Sequence, residues 1–263
     1  MRTLTVISKV LLYLAIYMCV VLFTNWALNN WIQDAEFSAW LSNNPASSLI
    51  AANTIVIAIY LPLLRWQNIR MQDLGFVRPQ SAAMAAGTGI WLGLFIAVFT
   101  QLGWIAENFP EIANLVQFVA GGGNFFVFVL SSLLLGSLLE ELLFRGMLIH
   151  VFRQRFSSAW SVLLQALLFG TVFMSVTIGA FAALGAIIYG VIRVTTGSIW
   201  SSLLAHVFST ATLYVVSHFM KDSSPETFLI LSFISGIAII VHLYILLRRQ
   251  SEDLKRHNKS ITS

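Results

Sequence analysis

The chain has 263 residues, of which 58% are hydrophobic and only 10% charged, with a formal net charge of +4. Soluble domains carry about a quarter charged residues, so this composition excludes an ordinary soluble fold. The bilayer must then be the solvent for much of the surface, at roughly 20 apolar residues for each spanning helix.

Eight apolar runs follow in chain order, at about 8–28, 47–64, 81–104, 124–151, 158–175, 177–195, 198–219 and 227–247. The runs are too long for strands and lack the alternation of a membrane barrel. The expected fold is all-α, a polytopic transmembrane helix bundle of about eight spans. The fifth to seventh runs are short and closely joined. The first is long and no small-residue cleavage site follows it, so it reads as a retained span. Loops are short, which argues for one membrane domain over residues 1–263. The most polar internal stretch, residues 65–80, belongs at the cytoplasmic interface.

The basic residues set the topology. With the N-terminus in the cytoplasm, Arg2, Lys9, Arg65, Arg70, Arg78, Arg153, Arg155, Arg193, Arg248, Arg249, Lys255, Arg256 and Lys259 all fall inside, and only Lys221 falls outside. Asp34, Glu36, Glu107, Glu111, Asp222 and Glu226 fall outside. Both termini are expected in the cytoplasm of a multi-pass protein of the plasma membrane. The basic tail is explained by orientation and lipid headgroups, so nucleic acid is not an expected partner. The single cysteine, Cys19, excludes an internal disulfide framework and a Cys-based metal cluster.

Two smaller signals concern packing. Gly121–Gly123 breaks the chain before the fourth run, and Gly89 and Gly93 form a GxxxG in the third, a spacing that permits close helix contact.

The fourth run, NFFVFVLSSLLLGSLLEELLFRGMLIHVF, holds Glu140, Glu141 and Arg145. Ionisable residues inside a span are costly and face the bundle interior or a wet cavity. Glu141 and Arg145, at i and i+4, can pair on one helix face. Glu140 is turned about 100° away. Counted from Arg153, Glu141 lies roughly 18 Å deep, beyond the reach of snorkelling. A self-neutralising pair would explain Glu141 and Arg145 but leaves Glu140 over. A second carboxylate in low dielectric suits general acid/base work. His206, in the seventh run, lies about 12 Å from the cytoplasmic end of its span, within about a helix turn of the glutamates in depth. His150, His218, His242 and His257 sit near edges, alone, or in the tail, and none needs a catalytic role.

The run LLEELLFRGML resembles the EExxxR motif of the CPBP family, the CAAX-protease and bacteriocin-processing membrane endopeptidases. ALGAIIYGVIRVTTGSIWSSLLAHVFST resembles the region ending in that family's HxxxN motif, and LLFGTVF sits where the family has FxxxH. The resemblance covers residues 124–212, the expected CPBP core. It implies peptide-bond hydrolysis within or at the membrane, with a membrane protein or peptide as substrate and the lipid bilayer as surroundings. Residue by residue, it makes Glu140 the general base, with Glu141 and Arg145 in support. His206 becomes an oxyanion donor or metal ligand. A divalent metal such as zinc would be held by Glu140 and His206.

Two positions depart from the pattern. Phe173 stands where the second motif has histidine, and Thr210 where the third has asparagine. A phenyl ring neither binds a metal nor accepts a proton, and a zinc hydrolase site needs three protein ligands. Reduced proteolysis is one expectation. A catalytically inactive member that binds a membrane protein or peptide without cutting is the alternative. A carboxylate-bearing transporter is disfavoured by the absence of internal repeats.

Overall fold

The computed structural model describes residues 3–79, 81–220 and 223–262, with side chains from residue 4 to residue 252. Arg2, Lys221 and Asp222, used in the topology argument, lie outside the described residues, as do the side chains of Lys255, Arg256, His257 and Lys259.

Among the described residues every regular element is helical: α1 Thr3–Asn30, α2 Ala35–Asn43, α3 Ser47–Trp66, α4 Met71–Leu74, α5 Ala82–Phe99, α6 Gly103–Asn108, α7 Pro110–Gly121, α8 Phe125–Arg153, α9 Ser158–Thr171, α10 Val176–Thr196, α11 Ile199–Phe219 and α12 Pro225–Thr262. Helices satisfy their own backbone groups, which lipid cannot do. Seven of these helices are long and apolar enough to span: α1, α3, α5, α8, α10, α11 and α12. The protein is a polytopic, multi-pass all-α bundle.

The fifth run differs from its expectation. Its helix α9 has 14 residues, a rise of about 21 Å, short of the ~30 Å hydrocarbon core. The apolar stretch continues, but Val172–Ser175 is a turn. Met174 takes a positive φ of 51° there, and the Ser175 hydroxyl caps α10 by accepting from the Ile178 N–H at 3.3 Å. Composition extends the run past the point where the backbone turns.

Caps and close approaches mark the other joints. Asn124 accepts from the Val127 N–H at 3.1 Å and starts α8, while its own N–H donates to the Asn44 side chain at 2.9 Å. The Ala46 N–H donates to the Gly122 carbonyl at 2.8 Å. The glycine-rich break is therefore docked on the α2–α3 joint. Gly89 and Gly93 of α5 lie against the α11 backbone; a Cβ on either would collide with the carbonyl of Ala205 or of Ser209. The GxxxG spacing is thus a real contact here, and it fixes the helix that carries His206.

The described part of the polar stretch, residues 65–79, folds back onto the ends of α8, α10 and α11. Arg193 donates to the Leu74 carbonyl at 2.7 Å, Ser198 to the Val77 carbonyl at 2.8 Å, and the Ile199 N–H to the Gly75 carbonyl at 2.8 Å. His150 Nδ1 meets the Asp73 carbonyl at 3.1 Å. Arg193, read from sequence as one of many orientation charges, is buried and clamps this loop. The main core surrounds α8, where Leu139, Leu143, Phe144, Met147 and Leu148 pack against α1, α3 and α9.

Candidate active site

Two stretches of α8 are π-wound, Val129–Gly136 and Glu141–Leu148. Such widened turns concentrate at functional sites. The second begins at Glu141, so the acidic pair straddles a change of winding. Glu141 and Arg145 have side chains that are 0% exposed, and Arg145 Nη1 lies 3.4 Å from Glu141 Oε1. The expected pairing on one face is present. The guanidinium is held between the rings of Phe169 and Tyr189, 5.1 Å from each centroid. A weakly hydrated, planar cation suits that slot.

Glu140 faces elsewhere, as its offset requires. Its side chain is 27% exposed and opens into a cavity of about 400 Å³ between α3, α7, α8, α10 and α11. His206 joins the two carboxylates. Its Nδ1 is 3.1 Å from Glu141 Oε1, and its Nε2 is 3.7 Å from Glu140 Oε2. The imidazole stacks on Tyr189, with centroids 4.6 Å apart and planes at 16°. With Nδ1–H donating to Glu141, the ring is oriented as a base or donor is oriented by a third group in hydrolytic triads.

Phe173 and Thr210 line the same cavity as Glu140 and His206. Glu140, His206 and the two departures thus share one cavity, with Glu141, paired to Arg145, buried against His206. Phe169 packs edge-on to Phe173, with centroids 5.6 Å apart, so the second-motif positions fill the wall with aromatic rings.

The sequence reading missed three residues. Tyr189 holds both Arg145 and His206 but lies in an apolar run where a tyrosine carries no signal. Tyr17 of α1 and Asn53 of α3 also line the cavity. Asn53 did carry a signal, being a carboxamide inside an apolar span. Two other histidines have partners of their own: His218 Nδ1 contacts the Tyr214 carbonyl at 2.8 Å, and His242 Nδ1 lies 3.4 Å from the Thr88 hydroxyl.

The zinc expectation can be tested on the donor set. Glu141 Oε1 is already shared by Arg145 and His206, and Phe173 offers no donor atom. Among the described residues no three His, Cys, Asp or Glu side chains are grouped to hold an ion. Glu140 and His206 alone fall short of a three-ligand hydrolytic centre, so the residues do not fit zinc.

Residues 122–212 match the family model described as Type II CAAX prenyl endopeptidase Rce1-like. No curated protein and no solved structure matches the chain. The matched segment runs from the glycine break before α8 to just past Thr210 of α11 and contains Glu140, Glu141, Arg145, Phe173 and His206. Over that segment, about a third of the chain, the protein is similar to the CPBP/CAAX protease family of membrane endopeptidases.

Proposed function

We propose that the chain hydrolyses peptide bonds of a membrane protein or peptide, using a water activated by Glu140. The observation that carries this reading is the placement of Glu140 Oε2 in the cavity, 3.7 Å from His206 Nε2. A water on Glu140 gives its proton to the carboxylate as its oxygen attacks the carbonyl carbon. Doubly protonated, His206 keeps its Nδ1–H on Glu141 and presents its Nε2–H to the developing oxyanion. Glu140 then returns the proton to the amide nitrogen as the C–N bond breaks. Glu141 and Arg145 hold the imidazole in place and touch no substrate. No step passes through a metal.

Removing a general base or its partner commonly costs 10²- to 10⁴-fold in rate. With Phe173 in the second-motif position, turnover is slow. Phe173 and Thr210 in the cavity wall also favour a second reading, a family member that binds a membrane segment without cutting it. On either reading the protein resides in the plasma membrane with both termini in the cytoplasm, supported by the placement of its basic residues; this topology requires the short α9 to return the chain across the bundle between α8 and α10.

Both readings are tested by reconstituting the protein in liposomes with candidate membrane peptides. Wild type, Glu140→Ala and Phe173→His are compared. Slow cleavage that is lost in Glu140→Ala and raised in Phe173→His is expected. Cleavage found only in Phe173→His would establish the binding reading instead.

A further inference from the structure

We infer that Asn53, on α3 and outside the family-matched segment, supplies a carboxamide donor to the substrate carbonyl in the Glu140 cavity. The inference rests on the hydrolytic reading of that cavity and adds a residue that no motif contains.

Asn53 lies within the first half of α3, in the run SSLIAANTIVIAIY, and is only 5% exposed. A buried polar side chain in a span calls for a partner. Its one hydrogen bond is long: Nδ2 reaches the Ser131 carbonyl at 3.5 Å. Among the described residues its Oδ1 has no hydrogen-bond partner. The side chain is therefore held loosely toward α8, with most of its bonding capacity unused, and it lines the cavity that contains Glu140, His206 and Thr210.

Its position along α8 is fixed by Gly136. A Cβ built on Gly136 would lie 3.7 Å from Asn53 Nδ2. Gly136 precedes Glu140 by four residues, on the same face and about 6 Å along the axis. Gly136 places no side chain against the amide and lines the same cavity as Asn53 and Glu140. A peptide carbonyl attacked by a water on Glu140 can therefore lie with its oxygen toward Asn53 Nδ2 on one side and His206 Nε2 on the other. Two donors converging on a developing oxyanion are what acyl transfer requires.

The chemistry also answers a deficit. Thr210 has replaced the third-motif asparagine and offers one hydroxyl donor, whereas Asn53 offers an NH₂ with two. A carboxamide is restored to the cavity from the opposite helix. The ordinary alternative is interhelical glue, in which Asn53 only ties α3 to α8.

The test separates these roles and stands apart from the fate of the hydrolytic reading. The full-length protein in nanodiscs is titrated with two probes: a phosphinic pseudopeptide with leucine side chains on both sides of the phosphorus, and the matching reduced-amide pseudopeptide. The phosphinate mimics the tetrahedral oxyanion and the reduced amide does not. Wild type should bind the phosphinate at least tenfold more tightly than the reduced amide. Asn53→Ala should erase most of that ratio, and Asn53→Gln or Asn53→His should restore part of it. Where turnover is measurable, Asn53→Ala should lower kcat about 10²- to 10³-fold with little change in KM. A wild-type ratio near one overturns the inference. So does an Asn53→Ala protein that keeps the wild-type ratio, even if it melts at lower temperature, because that is the behaviour of glue. Failure of the hydrolytic reading shows separately, as cleavage that is absent in wild type or unaffected by Glu140→Ala.

Discussion

Nδ1 of His206 lies 3.1 Å from Oε1 of Glu141, which is also the oxygen that faces Arg145. One carboxylate oxygen thus anchors both a buried cation and the imidazole that reaches the cavity. Removing one partner of a buried ion pair leaves an uncompensated charge and costs about 3–5 kcal/mol. Glu141→Ala should therefore lower the unfolding temperature in detergent sharply, because Arg145 is left without an acid. Glu140→Ala should barely move it, since Glu140 faces the cavity and its loss strands no buried cation. Equal melting temperatures for the two variants would show that the adjacent glutamates are not divided in this way.

Tyr189 supports the same group from the side. It stacks on His206 and covers Arg145. Both contacts use the ring and not the hydroxyl. Tyr189→Phe should keep stability and turnover close to wild type. Tyr189→Ala should lose a desolvated cation–π contact of about 2 kcal/mol, and its kcat should fall further than its KM changes as the imidazole loses its platform. A phenylalanine variant as impaired as the alanine one would assign the role to the hydroxyl instead.

Outside the spans, Asp73 closes a small capping box on Arg70. The Arg70 N–H donates to its Oδ2 at 2.9 Å, and the guanidinium lies 3.2 Å from its Oδ1. The hydrogen bonds from Arg70 hold the Asp73 carboxyl below its ordinary value of 3.8. A lowered folded-state pKa means that this contribution is present above the ordinary carboxylate range and is lost as pH falls through the lowered value. The carboxyl carbon of selectively labelled Asp73 should thus titrate by NMR with a midpoint under 3.8, and Arg70→Ala should raise that midpoint. A midpoint that Arg70→Ala leaves unchanged would show the pair to be unformed in the membrane-embedded protein.

The bundle was legible in the sequence because bilayer spans write themselves as long apolar runs, and Glu140, Glu141 and His206 stood out as costly charges in those runs. The depth estimates placed them together because helical rise is constant. Three features were not legible. The end of α9 lay hidden because Val172 and Phe173 are as apolar as the helix before them, while the turn is set by the Met174 backbone and the Ser175 cap. Tyr189 was hidden because an aromatic in a span reads as packing. Arg193 counted as a topological charge because burial against a folded-back loop is a tertiary fact that hydropathy does not contain.

The GxxxG of α5 carries the last prediction, because Ala205, which it touches, directly precedes His206. A Cβ on Gly89 would strike the Ala205 carbonyl, and one on Gly93 the Ser209 carbonyl. Backbone carbonyls inside a helix cannot turn aside, so α5 and α11 must separate. Overpacking of this kind costs about 1–3 kcal/mol. It should also draw His206 away from Glu140, whose Nε2–Oε2 separation is already 3.7 Å. Gly89→Leu should therefore lose turnover, or phosphinate binding, out of proportion to its lowered melting temperature. Gly103→Ala, where an added Cβ meets nothing within 4 Å, should change neither. A Gly89→Leu protein with lowered stability but unaltered phosphinate binding would show that the α5–α11 contact supports the fold without setting the position of His206.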